Sequence, residues 1–126
     1  MSRVLVVDDE SSVRNALVRL LRREGYEADG ACDGGEALRS LEAAAPDLIL
    51  LDVMMPGLDG LGLLEVLHAH PQWRALPVVM LTAVSDTHTV NRARQLGARE
   101  YLVKAAFSVG EMLQQVRKYA GGDAPP

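Results

Sequence analysis

At 126 residues the chain has the length of one domain, and 48% hydrophobic against 24% charged residues is the balance of a globular fold with a single core. A formal net charge of −4 excludes the broad basic footprint of a nucleic-acid binder, so no direct nucleic-acid binding is expected. No apolar run approaches the ~20 residues of a membrane span, and MSRVLVVDDE offers only four apolar residues before acids intervene, so neither a membrane segment nor a signal peptide is read and a cytoplasmic location is expected.

In chain order, VLVV (4–7) reads as the first strand. Val13, Ala16, Leu17, Leu20 and Leu21 make the apolar stripe of a helix that Gly25 ends. A weaker strand covers Tyr26 to Cys32. Asp33 and Glu36 have capping-box spacing and open a helix through Ala37, Leu38 and Leu41, with Pro46 beyond its end. DLILL supplies the third strand, and Leu61, Leu64 and Leu67 the next helical stripe. Pro77 leads into the fourth strand, which ends at Thr82; a helix from about Ser85 to Leu96 is closed by Gly97. Tyr101-Leu102-Val103 is the fifth strand. Ser108 and Glu111 form another capping box, opening a helix with Val109, Met112, Leu113 and Val116 facing inward. The domain is placed at 3–119, and the composition of GGDAPP makes 120–126 a flexible tail or the start of a linker.

Strands alternating with helices imply an α/β fold of three layers, a five-stranded parallel sheet with helices on both faces. The nearly continuous apolar runs of strands 1, 3 and 4 suit strands buried on both sides. The carboxyl ends of parallel strands share one rim, where ligands bind. Asp8 and Asp9 stand after strand 1, Asp52 after strand 3, Thr82 after strand 4 and Lys104 after strand 5. Three carboxylates brought together repel strongly unless a cation sits among them. With oxygen ligands and no His or Cys, that cation is expected to be Mg²⁺, Mn²⁺ being the alternative. An aspartate so placed can accept a phosphoryl group when metal and lysine neutralise the oxygens. Asp52 is the candidate acceptor, Asp8 and Asp9 would hold the ion, Lys104 would pair with the phosphoryl group, and Thr82 and the backbone N–H of Ala83 would bind its oxygens. Gly57 and Gly60 suit the tight loop after Asp52.

With VVDDE, LDVMMPGLDG, PVVMLTA and YLVK in place, the chain resembles the receiver domain of two-component response regulators from Arg3 to about Tyr119. The resemblance implies a flavodoxin-like, doubly wound sheet of order 2-1-3-4-5. It also implies phosphorylation of Asp52 by a histidine kinase or histidine phosphotransfer protein. Mg²⁺ would be held by Asp9, Asp52 and the Met54 carbonyl, and by Asp8 through water. Thr82 and Tyr101 would be the switch that remodels the face formed by helix 4, strand 5 and helix 5, for a downstream protein target or for homodimerisation. Such a protein is a phosphoacceptor rather than an enzyme, although it assists its own phosphorylation and dephosphorylation. One residue departs from the family: Ala105 stands where proline usually follows the lysine through a cis bond. A cis bond to alanine costs roughly 3 to 4 kcal/mol, so a trans Lys104–Ala105 peptide is expected. Apolar Met54 and Val84, two beyond Asp52 and Thr82, line the approach of the attacking water and suggest slow hydrolysis of the phosphate.

Other residues receive plainer readings. Cys32, the single cysteine, reads as a small buried hydrophobe. His68, His70 and His88 read as solvated surface; the arginine groups Arg19, Arg22, Arg23 and Arg92, Arg94 read as solvated helix faces, with partner docking as the alternative. Trp73 is expected to pack on a helix edge, with a partner anchor as the alternative; Met55 flanks the site, and Met80 and Met112 fill the core. The competing functional readings are a receiver-like interaction module that takes no phosphate, a haloacid-dehalogenase-like phosphotransferase, which lacks its second aspartate because Glu10 stands there, and an FMN-binding flavodoxin, which lacks its phosphate loop.

Overall fold

The computed structural model describes residues 2–121. The elements are β1 (Arg3–Val7), α1 (Ser11–Arg23), β2 (Glu27–Ala31), α2 (Gly34–Ala43), β3 (Leu48–Leu51), α3 (Gly60–Ala69), β4 (Val78–Thr82), α4 (Thr87–Gln95), β5 (Glu100–Val103) and α5 (Val109–Ala120). The sheet order is β2-β1-β3-β4-β5 and every pairing is parallel, with Val7 opposite Leu51, Leu51 opposite Met80, and Thr82 opposite Val103. The strand alternation divides the core in two. Leu5, Val7, Ile49, Leu51, Val78 and Met80 pack with α2, α3 and α4, while Val4, Val6, Leu48, Leu50, Val79 and Leu81 pack with α1 and α5. β1, β3 and β4 are buried on both faces because each has a neighbour strand on either side and helices above and below.

Three helix starts carry aspartate caps, of which the first was expected: Asp33, Asp59 and Asp86 accept the backbone N–H groups of Glu36, Gly62 and Thr89. Ser108 caps α5 in the same way through Glu111. Gly25 and Gly97, each at φ +96°, close α1 and α4 in a conformation that a Cβ disfavours. All peptides among the described residues are trans, Lys104–Ala105 included, as expected for alanine at that position.

Several expectations are corrected. Strand 2 is shorter than Tyr26–Cys32, because Tyr26 and Cys32 lie beyond its pairing with β1. Cys32 is only half-buried, its thiol 3.3 Å from Glu36 Oε2; that hydrogen bond and partial burial hold the thiol above its usual pKa. Ala16 is exposed, and the stripe of α1 runs instead through Leu17, Val18, Leu20 and Leu21. In α3 the seated residues are Leu63, Leu64 and Leu67, with Leu61 at the margin, since the inward face is phased on Gly60. Val109 is exposed: it stands at the first position of α5, a turn before Met112, the first buried residue of that helix. α4 begins at Thr87 rather than Ser85, after its Asp86 cap. His70 is half-buried rather than solvated, stacked on Trp73 at 4.3 Å, and Trp73 itself lies in the core beside α3 and α4. α5 extends through the buried Ala120, one residue past the expected domain end, with Gly121 as its C-cap; residues 122–126 of the expected tail lie outside the described residues.

Candidate functional site

The parallel ladder continues one residue past three strand ends and so fixes the backbone of the site. Asp8 N–H donates to the Ala31 carbonyl at 3.0 Å, Asp52 N–H to the Val7 carbonyl at 2.9 Å, and Lys104 N–H to the Thr82 carbonyl at 2.8 Å. Because β1, β3, β4 and β5 are consecutive in the sheet, residues far apart in the chain meet on one rim.

Asp8, Asp9 and Asp52 each bring a carboxylate oxygen within 4.8 Å of the others. Asp8 and Asp52 are buried and Asp9 is exposed, so the group opens to solvent on the Asp9 side. Lys104 Nζ bridges the two buried acids, 2.9 Å from Asp8 Oδ2 and 3.4 Å from Asp52 Oδ2. Burial alone would lower the Lys104 pKa, but the hydrogen bond to Asp8 and the charges of Asp52 and Asp8 outweigh it, and the ammonium is held more firmly than in water. Three carboxylates against one ammonium leave two formal negative charges among the four side chains. All-oxygen donors with that excess fit a hard divalent cation such as Mg²⁺.

The loop after Asp52 is built by close backbone approach. Met54 N–H reaches Asp52 Oδ1 at 3.4 Å, Gly60 N–H donates to the Val53 carbonyl at 2.9 Å, and Gly57 turns the chain at φ +70°. A Cβ at Gly60 would lie 2.0 Å from the Asp52 carbonyl oxygen, so the start of α3 sits directly against the backbone of the candidate acceptor. The side chain of Met54 projects outward, 65% exposed, whereas Met55 is buried below it.

Thr82 is fully buried, and its Oγ1 accepts the Val84 N–H at 3.3 Å. Tyr101 Oη donates to the carbonyl of the same residue at 2.6 Å. Burial, then the charges of Asp86 and Asp52, push the Tyr101 phenol above the usual tyrosine range. Ala83, between them, is exposed with only a methyl group to shield its N–H. The structure thus brings together Asp8, Asp9, Asp52, Thr82 and Lys104, with Ala83 and Met54 at the rim and Tyr101 tied in through Val84. One participant escaped the sequence reading and another was read for a different role. Val84, expected as an apolar residue lining the approach of water, is also held at its backbone N–H and carbonyl, which no pattern of side chains reveals. Arg14 donates from Nη1 to the Asp8 carbonyl at 2.8 Å, and the available signal was Gly30, a glycine inside a strand where close approach is the usual reason for it.

Comparison with known proteins agrees with this architecture. Residues 4–117 match the family model described as "Response regulator receiver domain". Mycobacterium tuberculosis "DNA-binding response regulator MtrA" is 40% identical over 115 residues, covering 91% of this chain and 49% of that protein. "Transcriptional regulatory protein PdtaR" of the same organism is 42% identical over 115 residues, covering 90% of this chain and 54% of its own length. The chain therefore spans about half the length of the curated relatives it matches. Among solved structures, Vibrio cholerae chemotaxis protein CheY4 superposes with a TM-score of 0.87 at 32% identity, covering 94% of this chain and 98% of that one. Thermotoga maritima TrrA, solved in complex with Mg(2+)-BeF, superposes at 0.82 with 36% identity, covering 94% of this chain and 99% of that one.

Proposed function

Because the chain belongs to the response-regulator receiver family, we propose that it is a phosphoacceptor switch in which Asp52 takes a phosphoryl group from a histidine kinase or histidine phosphotransfer protein. The observation that carries this reading is the Lys104 ammonium bridging Asp8 and Asp52 while Asp9 completes the acidic group. An Asp52 carboxylate oxygen attacks phosphorus, the new P–O bond replaces the P–N bond of the donor phosphohistidine, and the imidazole leaves and regains its proton from solvent. Asp9, Asp52 and the Met54 carbonyl would hold Mg²⁺, with Asp8 reaching it through water; the ion supplies charge neutralisation on the phosphoryl oxygens. Lys104 shifts from its two carboxylates toward an incoming phosphoryl oxygen, and the Ala83 N–H and Thr82 hydroxyl supply donors to the others.

The switch follows from what Thr82 and Tyr101 share. Both hold Val84, one at its N–H and the other at its carbonyl. When the Thr82 hydroxyl turns to donate to a phosphoryl oxygen, Val84 loses one of its two anchors, and the loop to which Tyr101 is tied repacks. α4 follows that loop, so the surface of α4, β5 and α5 changes for a downstream protein or a second copy of the chain. The phosphoryl group drives this by its differential interaction with the two arrangements.

Beryllofluoride, which mimics the phosphoryl group, tests the reading. With Mg²⁺ it should shift the backbone amide resonances of Ala83, Val84 and the α4–β5–α5 face, and Asp52→Asn should abolish the shifts. Unperturbed spectra of the wild type would return the chain to the class of receiver-like interaction modules.

A further inference from the structure

Asp8 is engaged at every polar atom: its N–H by Ala31, Oδ1 by the Glu10 N–H, Oδ2 by Lys104, and its carbonyl by Arg14. The Arg14 tie differs in kind, since that carbonyl belongs to the planar peptide joining Asp8 to Asp9. Asp9 is exposed, so its carboxylate meets those of Asp8 and Asp52 through the set of its backbone. Whatever fixes the peptide plane before Asp9 therefore helps to aim it. Arg14 reaches the carbonyl by laying its stem across β2 at Gly30. A Cβ there would meet Arg14 Cδ at 2.9 Å and Cγ at 3.0 Å, and a glycine that weakens the strand is the physical condition for that passage.

We propose that Arg14, seated on Gly30, is a positioning residue for the cation site: it locks the Asp8–Asp9 peptide and thereby aims Asp9. This rests on the phosphoacceptor reading, since it takes the acidic group to bind Mg²⁺. Charge and position make opposite demands. A guanidinium beside a cation site repels the ion, so charge alone says that its removal tightens binding; loss of positioning says that removal loosens it. The guanidinium belongs to a half-exposed side chain, so salt screens part of its charge, whereas the freed peptide changes a ligand directly. Positioning wins in this account.

Mg²⁺ titrations of the wild type, Arg14→Ala, Gly30→Ala and the double variant, read from the Asp9 and Glu10 amide resonances, separate the two. Arg14→Ala should weaken Mg²⁺ about fivefold, the scale of one lost hydrogen bond. Gly30→Ala should weaken it by displacing the stem, and the double variant should match Arg14→Ala alone, because the added methyl then meets no stem. If Arg14→Ala fails to fold, Arg14→Met keeps the stem without the donor and should show the same weakening. Unchanged or tighter binding in a folded Arg14 variant overturns the proposal, as does a fall in Tm with an unchanged Kd. A wild type that binds no Mg²⁺ overturns both this proposal and the phosphoacceptor reading beneath it.

Discussion

Gly60→Ala is the substitution whose cost the structure sets most clearly. The new methyl carbon would stand 2.0 Å from the Asp52 carbonyl oxygen and 2.7 Å from Val53 Cα, both backbone atoms that no rotamer change can move. Contact distance lies more than an ångström further out, so the start of α3 must retreat from the end of β3. Gly60 N–H also donates to the Val53 carbonyl, and the retreat strains that bond. Overpacking against a rigid wall costs on the order of 3 kcal/mol, which lowers Tm by roughly 10 °C in a domain of this size. The control is two residues on. A Cβ at Gly62 meets only the Leu58 side chain at 2.8 Å and the Asp59 carboxylate at 3.3 Å, of which the Leu58 methyl can swing away. Helix propensity then favours Gly62→Ala by up to about 1 kcal/mol. Urea or thermal unfolding of the two variants decides it: Gly60→Ala should fall well below the wild type and Gly62→Ala should match or exceed it. Equal effects of the two would refute the claim that α3 abuts the acceptor backbone.

Lys104→Ala leaves the buried Asp8 and Asp52 carboxylates without their cation. In Mg²⁺-free buffer it should cost about 2 kcal/mol, a figure below the usual toll for an orphaned buried charge because Lys104 is itself partly exposed. Mg²⁺ should restore part of that in a thermal melt, while the amide shifts of the α4–β5–α5 face on phosphorylation should disappear; persistence of those shifts would remove Lys104 from the switch. Tyr101 should ionise above 10.0, so the stabilisation from its neutral phenol is complete below pH 10.0 and lost as pH rises through the folded value. A 295 nm titration of wild type minus Tyr101→Phe should show that high transition, and one at the free-tyrosine value would contradict the half-buried, hydrogen-bonded pose. Replacing the exposed Met54 with Asn or Glu puts a polar group where water approaches the acyl phosphate, and loss of phosphate followed by mass should quicken severalfold; an unchanged rate would count against shielding by Met54.

The parts of the molecule legible in the sequence are those with one dominant signal. VLVV, DLILL and VVMLT read as strands because burial on both faces leaves no polar alternation to blur them. EADGA on the sheet edge read poorly for the opposite reason, and its length came out two residues too long. Asp33 and Ser108 stood out as caps because Glu36 and Glu111 follow at the paired position; Asp59 and Asp86 cap equally well but are followed there by Gly62 and Thr89. Asp8, Asp9, Asp52, Thr82 and Lys104 were legible because a polar residue ending an apolar strand is conspicuous. Arg14 and the backbone role of Val84 were not, since the one binds the Asp8 carbonyl and the other is held at its own N–H and carbonyl, and that main-chain geometry exists only after the sheet has formed. Cys32 and Val109 show the limit of periodicity: it gives a face, but not whether the neighbouring layer extends far enough to cover it.

The most direct test of the account is intact mass after incubation with Mg²⁺ and acetyl phosphate, comparing the wild type with Asp52→Ala. The account predicts one phosphate adduct on the wild type, absent from Asp52→Ala and prevented by EDTA. An adduct that survives Asp52→Ala, or a wild type that stays unmodified with Mg²⁺ in excess, would contradict it.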